Sequence, residues 1–132
     1  MKSNIFFRAA MLALAPLVVV PQAAKAAPED YEFQLVDVLQ KVGAAVIAVR
    51  LVNRKTGKAV PDAVISASRI DMAPDGMESM TSRIEQAPST ELGVYLFRTN
   101  LTMEGGWRLS LAAKVQGETG TVESRLVIKA VK

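Results

Sequence analysis

The sequence predicts an all-β protein: an immunoglobulin-like antiparallel β-sandwich of about seven strands behind an N-terminal signal peptide. Three observations carry this expectation. Short apolar runs recur at near-regular spacing with turn residues between them. One stretch, 107–115 (WRLSLAAKV), alternates strictly between apolar and polar or small residues. No segment holds apolar residues at helical spacing; the only candidate, 35–50, is interrupted by Gly43.

The first residues stand apart from that domain. Lys2 and Arg8 form a basic lead, residues 9–20 (AAMLALAPLVVV) are apolar and uncharged, and Ala24-Lys25-Ala26 puts small residues where a signal peptidase reads. This order predicts a leader spanning 1–26, cleaved after Ala26, and a periplasmic destination for residues 27–132. The alternative is an inner-membrane protein anchored by the same segment. A spanning helix needs roughly 20 apolar residues, and this run contains Pro16 and abuts Pro21.

The strands follow in order. Tyr31, Phe33 and Leu35 alternate with Glu32 and Gln34. Residues 45–52 (AVIAVRLV) are almost wholly apolar and predict a central strand buried on both faces. Residues 53–62 (NRKTGKAVPD) form a turn, and 64–72 a third strand. Residues 73–81 (APDGMESMT) read as a loop from their Pro-Asp-Gly core. A short edge strand at 82–87 ends at Pro88, a strand follows at 93–100, and 101–106 (LTMEGG) is a tight connection. After 107–115, the turn QGETG leads to a last strand at 122–131.

Composition excludes much chemistry. Lys and Arg number 16 against 13 Asp and Glu, and Lys2, Arg8 and Lys25 account for the whole excess. Residues 27–132 are therefore balanced, with basic residues scattered among acids, which does not favour a nucleic-acid partner. Without histidine or cysteine the nucleophile–histidine systems cannot be built, nor ordinary zinc sites. No Gly-rich phosphate loop sits between a strand and a helix. Asp71, Asp75 and Glu78 are expected as solvated loop acids rather than a tuned acid/base pair. An enzyme is not expected.

Methionine is the exception. Met72, Met77 and Met80 fall within nine residues, and Met103 lies in a second connection. In an up-and-down run of strands, alternate connections open at the same end, so both should meet there with Trp107 beside them. Neutral, soft thioethers suit cuprous copper and need no deprotonation to bind. Met72, Met77, Met80 and Met103 are thus candidate ligands for copper(I). Three other readings stand beside this one. Methionine also plugs core gaps or offers an adaptable protein contact, and Trp107 heads an alternating face expected in the core. Asp71, Asp75, Glu78 and Glu104 would admit a hard cation, although no calcium-loop pattern is present.

The residues Thr56-Gly57-Lys58-Ala59-Val60-Pro61-Asp62-Ala63-Val64-Ile65, then Gly93-Val94-Tyr95, then Gly105-Gly106-Trp107-Arg108-Leu109 resemble the YtkA-like and FixH-like family of small exported or membrane-anchored domains. The resemblance extends over roughly 31–131. It implies an immunoglobulin-like sandwich and a link to copper or heavy-metal handling, with a cation pump, a respiratory oxidase or an efflux system as partner. The family's Met-bearing loop would correspond to Met72, Met77 and Met80. Two departures stand out: the histidines of CopC-type copper carriers are missing, and a cleavable leader replaces the anchor of FixH-type members. The expected function is periplasmic copper(I) binding or delivery; the alternative is a metal-free interaction module assisting such an assembly.

Overall fold

The computed structural model describes residues 28–132, so the expected leader and its cleavage point at Ala26 lie outside the described residues. Two sheets face each other. One has the order β1-β3-β7-β6, built from β1 (Tyr31–Leu35), β3 (Gly43–Asn53), β6 (Ile84–Ala87) and β7 (Val94–Leu101). The other has the order β2-β9-β8-β4-β5, built from β2 (Leu39–Lys41), β4 (Val64–Met72), β5 (Met77–Ser82), β8 (Gly105–Lys114) and β9 (Val122–Val131). The all-β, immunoglobulin-like sandwich expected from the sequence is the fold observed.

Among the described residues nine strands appear where seven were expected, and both additions have a physical reason. After β1 pairs with β3, the chain changes sheets: Val36 N donates to Ala48 O, and Lys129 N then donates to Val38 O. The three residues of β2 run parallel to β9, a pairing between segments about ninety residues apart that no local pattern announces. The second addition, β5, occupies most of what was expected to be a loop, pairing Met77 with Met72 and Ser82 with Ile70 around an irregularity in register. It is an edge strand with four of its six residues exposed and none fully buried, so it has almost no apolar alternation to read.

A third correction concerns β3. It is central in its sheet but buried on one face only. Ala45, Ile47, Val49 and Leu51 point inward, while Val46 lies outward and half exposed. Antiparallel sandwich strands have one wet face, and valine is tolerated there because it suits the pleated backbone. The core forms where Phe33, Ile47, Leu51, Phe97 and Leu101 of one sheet meet Ile70, Met72, Trp107, Leu109 and Ile128 of the other, all essentially inaccessible to water. Burial at these positions stabilises the fold by roughly 1.5–3 kcal/mol per large side chain.

Tyr95 fixes the entry to β4. Its hydroxyl donates to Val60 O (2.7 Å) and accepts from Ala63 N (2.9 Å), while its ring meets Phe33 edge-to-face. Gly93 makes this approach possible, since a Cβ there would stand 2.5 Å from that of Ala59.

Candidate functional site

The end of the sandwich where β4 turns into β5 pairs Met72 with Met77 and sets Met72 beside Gly105 at the start of β8. A 3-10 turn over Ala73–Asp75 links the two strands, closed by Gly76 in the left-handed region (φ 76°). Asp71 starts it: Oδ1 accepts a hydrogen bond from Ala73 N at 2.9 Å. Pro74 near the turn's start lacks an N–H that would otherwise be unpaired, so the local sequence favours this geometry.

This turn docks on the beginning of β8. Asp75 Oδ2 accepts from Gly106 N at 3.0 Å. The fit depends on two glycines. A Cβ on Gly105 would run into Asp75 Oδ2 and come within 2.9 Å of Met72 Cε, and one on Gly106 would stand 2.8 Å from Pro74 Cβ. The connection at 102–104 is fixed from its other side. Trp107 Nε1 donates to Met103 O at 3.1 Å, and the Lys132 backbone N–H donates to Glu104 Oε1 at 3.1 Å. The turn at 73–75 and the connection at 102–104 that carries Met103 therefore lie side by side at one end, while Met77 and Met80 stand on β5.

Their sulfurs occupy different environments. Met72 is wholly buried and belongs to the core. Met77, its register partner across the turn, is half-buried against that core. Met80 and Met103 remain 39% exposed each. Trp107 is fully buried, so its indole is a core side chain whose one donor organises the Met103 backbone.

The acids depart from expectation. Asp71 is not a solvated loop residue: it lies on β4 with no exposed surface. Its Oδ2 accepts from Arg69 Nε (3.1 Å) and Arg108 Nη2 (3.0 Å). Burial pushes the carboxyl pKa up, but the Ala73 amide and the two guanidiniums outweigh it and hold it below the ordinary value. Asp71 in turn pushes the Arg108 pKa up, against burial. Glu78 accepts from Arg108 at 3.3 Å, and Arg69 Nη2 donates to Glu78 O. Asp75 and Glu104 are held by backbone amides, and among the described residues no group of three or more acids is arranged to hold a metal. The hard-cation alternative thus lacks a ligand cluster.

Two features of this end escaped the sequence reading. One signal for Asp71 was available: aspartate is disfavoured within strands, so one following Ile70 at a strand's end needs a partner. The other was the Gly-Gly pair before Trp107, which marks a close approach of another segment.

The profile of the YtkA-like family matches residues 25–112. No curated protein matches the chain. Among solved structures, the crystal structure of the Lin-41 filamin domain is similar at 18% identity and a TM-score of 0.47, over 77% of this chain and 92% of that one.

Proposed function

The chain belongs to the YtkA-like family, and from that premise we propose that it is an exported, periplasmic metal-handling module that binds or delivers cuprous copper through thioether sulfur. Met77, Met80 and Met103 are the proposed ligands, with Met72 as the packed floor beneath them. The observation that supports this reading is the docking of the Ala73–Asp75 turn on Gly105 and Gly106, which brings the turn between Met72 and Met77 beside the connection that carries Met103. Soft neutral sulfur favours the cuprous ion over harder cations.

Anaerobic titration of the purified protein with cuprous ion against a competing chelator tests this. We expect one ion per chain, and affinity at least tenfold lower in the Met80→Leu, Met103→Leu double variant. Met72→Leu should leave affinity unchanged. Leucine nearly conserves volume, so folding is preserved in both variants. Unchanged affinity in the double variant, or loss confined to Met72→Leu, refutes the assignment.

A second reading, a metal-free module that assists assembly of a membrane cation pump, oxidase or efflux system, draws on a different observation. Val36, Val38 and Leu39 are each about half exposed or more on the stretch around β2, whose far edge has no strand partner among the described residues. Absence of any cuprous binding by the parent protein would favour it.

A further inference from the structure

The outward face of the five-stranded sheet carries an arrangement that the methionine site does not use. Register places Arg69 of β4 and Arg125 of β9 on either side of Ser110 in the middle strand β8. At a strand spacing of roughly 4.8 Å, the two backbones stand about 10 Å apart. Arg108, two residues before Ser110, closes the third side. Small residues line the floor: Ser110, with Ala67 and Ala112 in the neighbouring row. Long side chains around a floor of small ones leave an open depression of about 640 Å³.

The three guanidiniums are not equally occupied. Arg108 is committed through Nη2 to Asp71 and Glu78, and its Nε is buried without a hydrogen-bond partner. Arg69 is half exposed and shared between Asp71 and a backbone carbonyl. Arg125 is exposed and has no ion pair among the described residues, although Glu123 lies two residues away on the same face. Asp71 is sealed beneath the arginines and presents no surface. The accessible acids are Glu123 and Glu78 at the rim. Glu78 is 72% exposed and rests on Arg108 at 3.3 Å. Its carboxylate marks where a carboxylate from outside would sit.

We propose that this face binds an acidic peptide segment of a partner protein, one carboxylate replacing Glu78 at Arg108 and another reaching Arg125 across Ser110. An extended segment fits better than a single small anion, because the depression spans three strands and its cations are separated by about two strand spacings. Arginine offers the paired donors that carboxylates accept. The buried Asp71 holds Arg69 and Arg108 in position beforehand, which lowers the ordering cost of binding.

A fluorescein-labelled, C-terminally amidated hexaglutamate titrated with the purified full chain, followed by anisotropy, tests the proposal. Binding should appear and weaken steeply with salt. Arg125→Gln should weaken it about tenfold, the loss expected for one charge-assisted contact. That side chain has no ion pair to lose, so its melting temperature should match the parent's. Glu78→Gln should tighten binding severalfold by removing the internal competitor. Arg98→Gln, on the four-stranded sheet, should change nothing. No binding overturns the proposal. So does equal loss in Arg98→Gln and Arg125→Gln, which would mean diffuse attraction. So also does citrate displacing the peptide at equal molar concentration, which would mean a small-anion site.

Discussion

Replacing Gly105 with alanine probes the contact on which the methionine end rests. Two costs are expected. Gly105 has φ +133°, which side-chain-bearing residues rarely adopt, at about 1–3 kcal/mol. The new Cβ also meets Asp75 Oδ2 and Met72 Cε. Relief requires Asp75 to swing away, breaking its bond to Gly106 N at about 1 kcal/mol, or Met72 to move within a packed core at about 1–3 kcal/mol. Together these give about 2–6 kcal/mol. Gly117→Ala separates the two parts, because Gly117 is also at positive φ (+84°) but has nothing within 4 Å of its Cβ position. That variant should lose only about 1–2 kcal/mol. Equilibrium urea denaturation of both variants reads the difference, about 2 kcal/mol, and thermal unfolding should place Gly105→Ala on the order of 15 °C below the parent. If the two alanine variants are equally stable, or Gly105→Ala lies within about 1 kcal/mol of the parent, the turn is not packed against β8 as described.

Further outcomes follow from the polar contacts. Asp71→Ala leaves Arg108 and the Ala73 amide without their carboxylate and should destabilise by about 3 kcal/mol. This is the lower end for a buried pair, because water screens the half-exposed Arg69. The folded-state pKa of Asp71 lies below its unfolded value, so its stabilisation is complete above the ordinary carboxyl range near pH 4. It is lost as pH falls from there through the lower folded value; Asp71→Asn should flatten that acid limb, and an unchanged limb refutes the assignment. Tyr95→Phe removes a hydroxyl that both donates to Val60 O and accepts from Ala63 N, and should cost about 2–3 kcal/mol with no change in cuprous affinity. A loss below 1 kcal/mol in urea denaturation would mean that water replaces both bonds.

The sequence made some elements plain and concealed others for reasons visible in the structure. The alternation in 107–115 reappears as β8, with Trp107, Leu109, Leu111 and Ala113 inward, because a strand with one wet face writes its burial directly into its residues. The 45–52 run misled because the outward positions of β3 hold alanine and valine, which sheet geometry accepts without burial. β5 was invisible because MESMTS buries little and its pairing with β4 depends on an irregular register. The connection after Met72 does lie beside the one that holds Met103, although Met77 and Met80 stand on a strand rather than in that connection and the strands do not run simply up and down: the chain changes sheets between β5 and β6. The depth of each sulfur was beyond reach, since Met72 and Met77 differ in exposure only through which neighbours close over them.

The motifs through which the chain resembles its family are mostly structural here. Gly93 admits the close approach of Ala59, Tyr95 pins residues 60–63, Gly105 and Gly106 admit the turn at 73–75, and Trp107 fills the core. Each constrains backbone or packing, and none presents a ligand atom to solvent. The chemistry-bearing atoms that do reach solvent lie elsewhere: Met80 on an edge strand, Met103 in a turn, Arg69 and Arg125 on an outward face. The family match ends at residue 112, before the strand that supplies Arg125. Membership in the family therefore accounts for the frame and the approach of the two connections. What the frame carries depends on side chains that packing leaves free to vary, and substitutions at those positions, which should scarcely affect stability, are the ones that discriminate between functions.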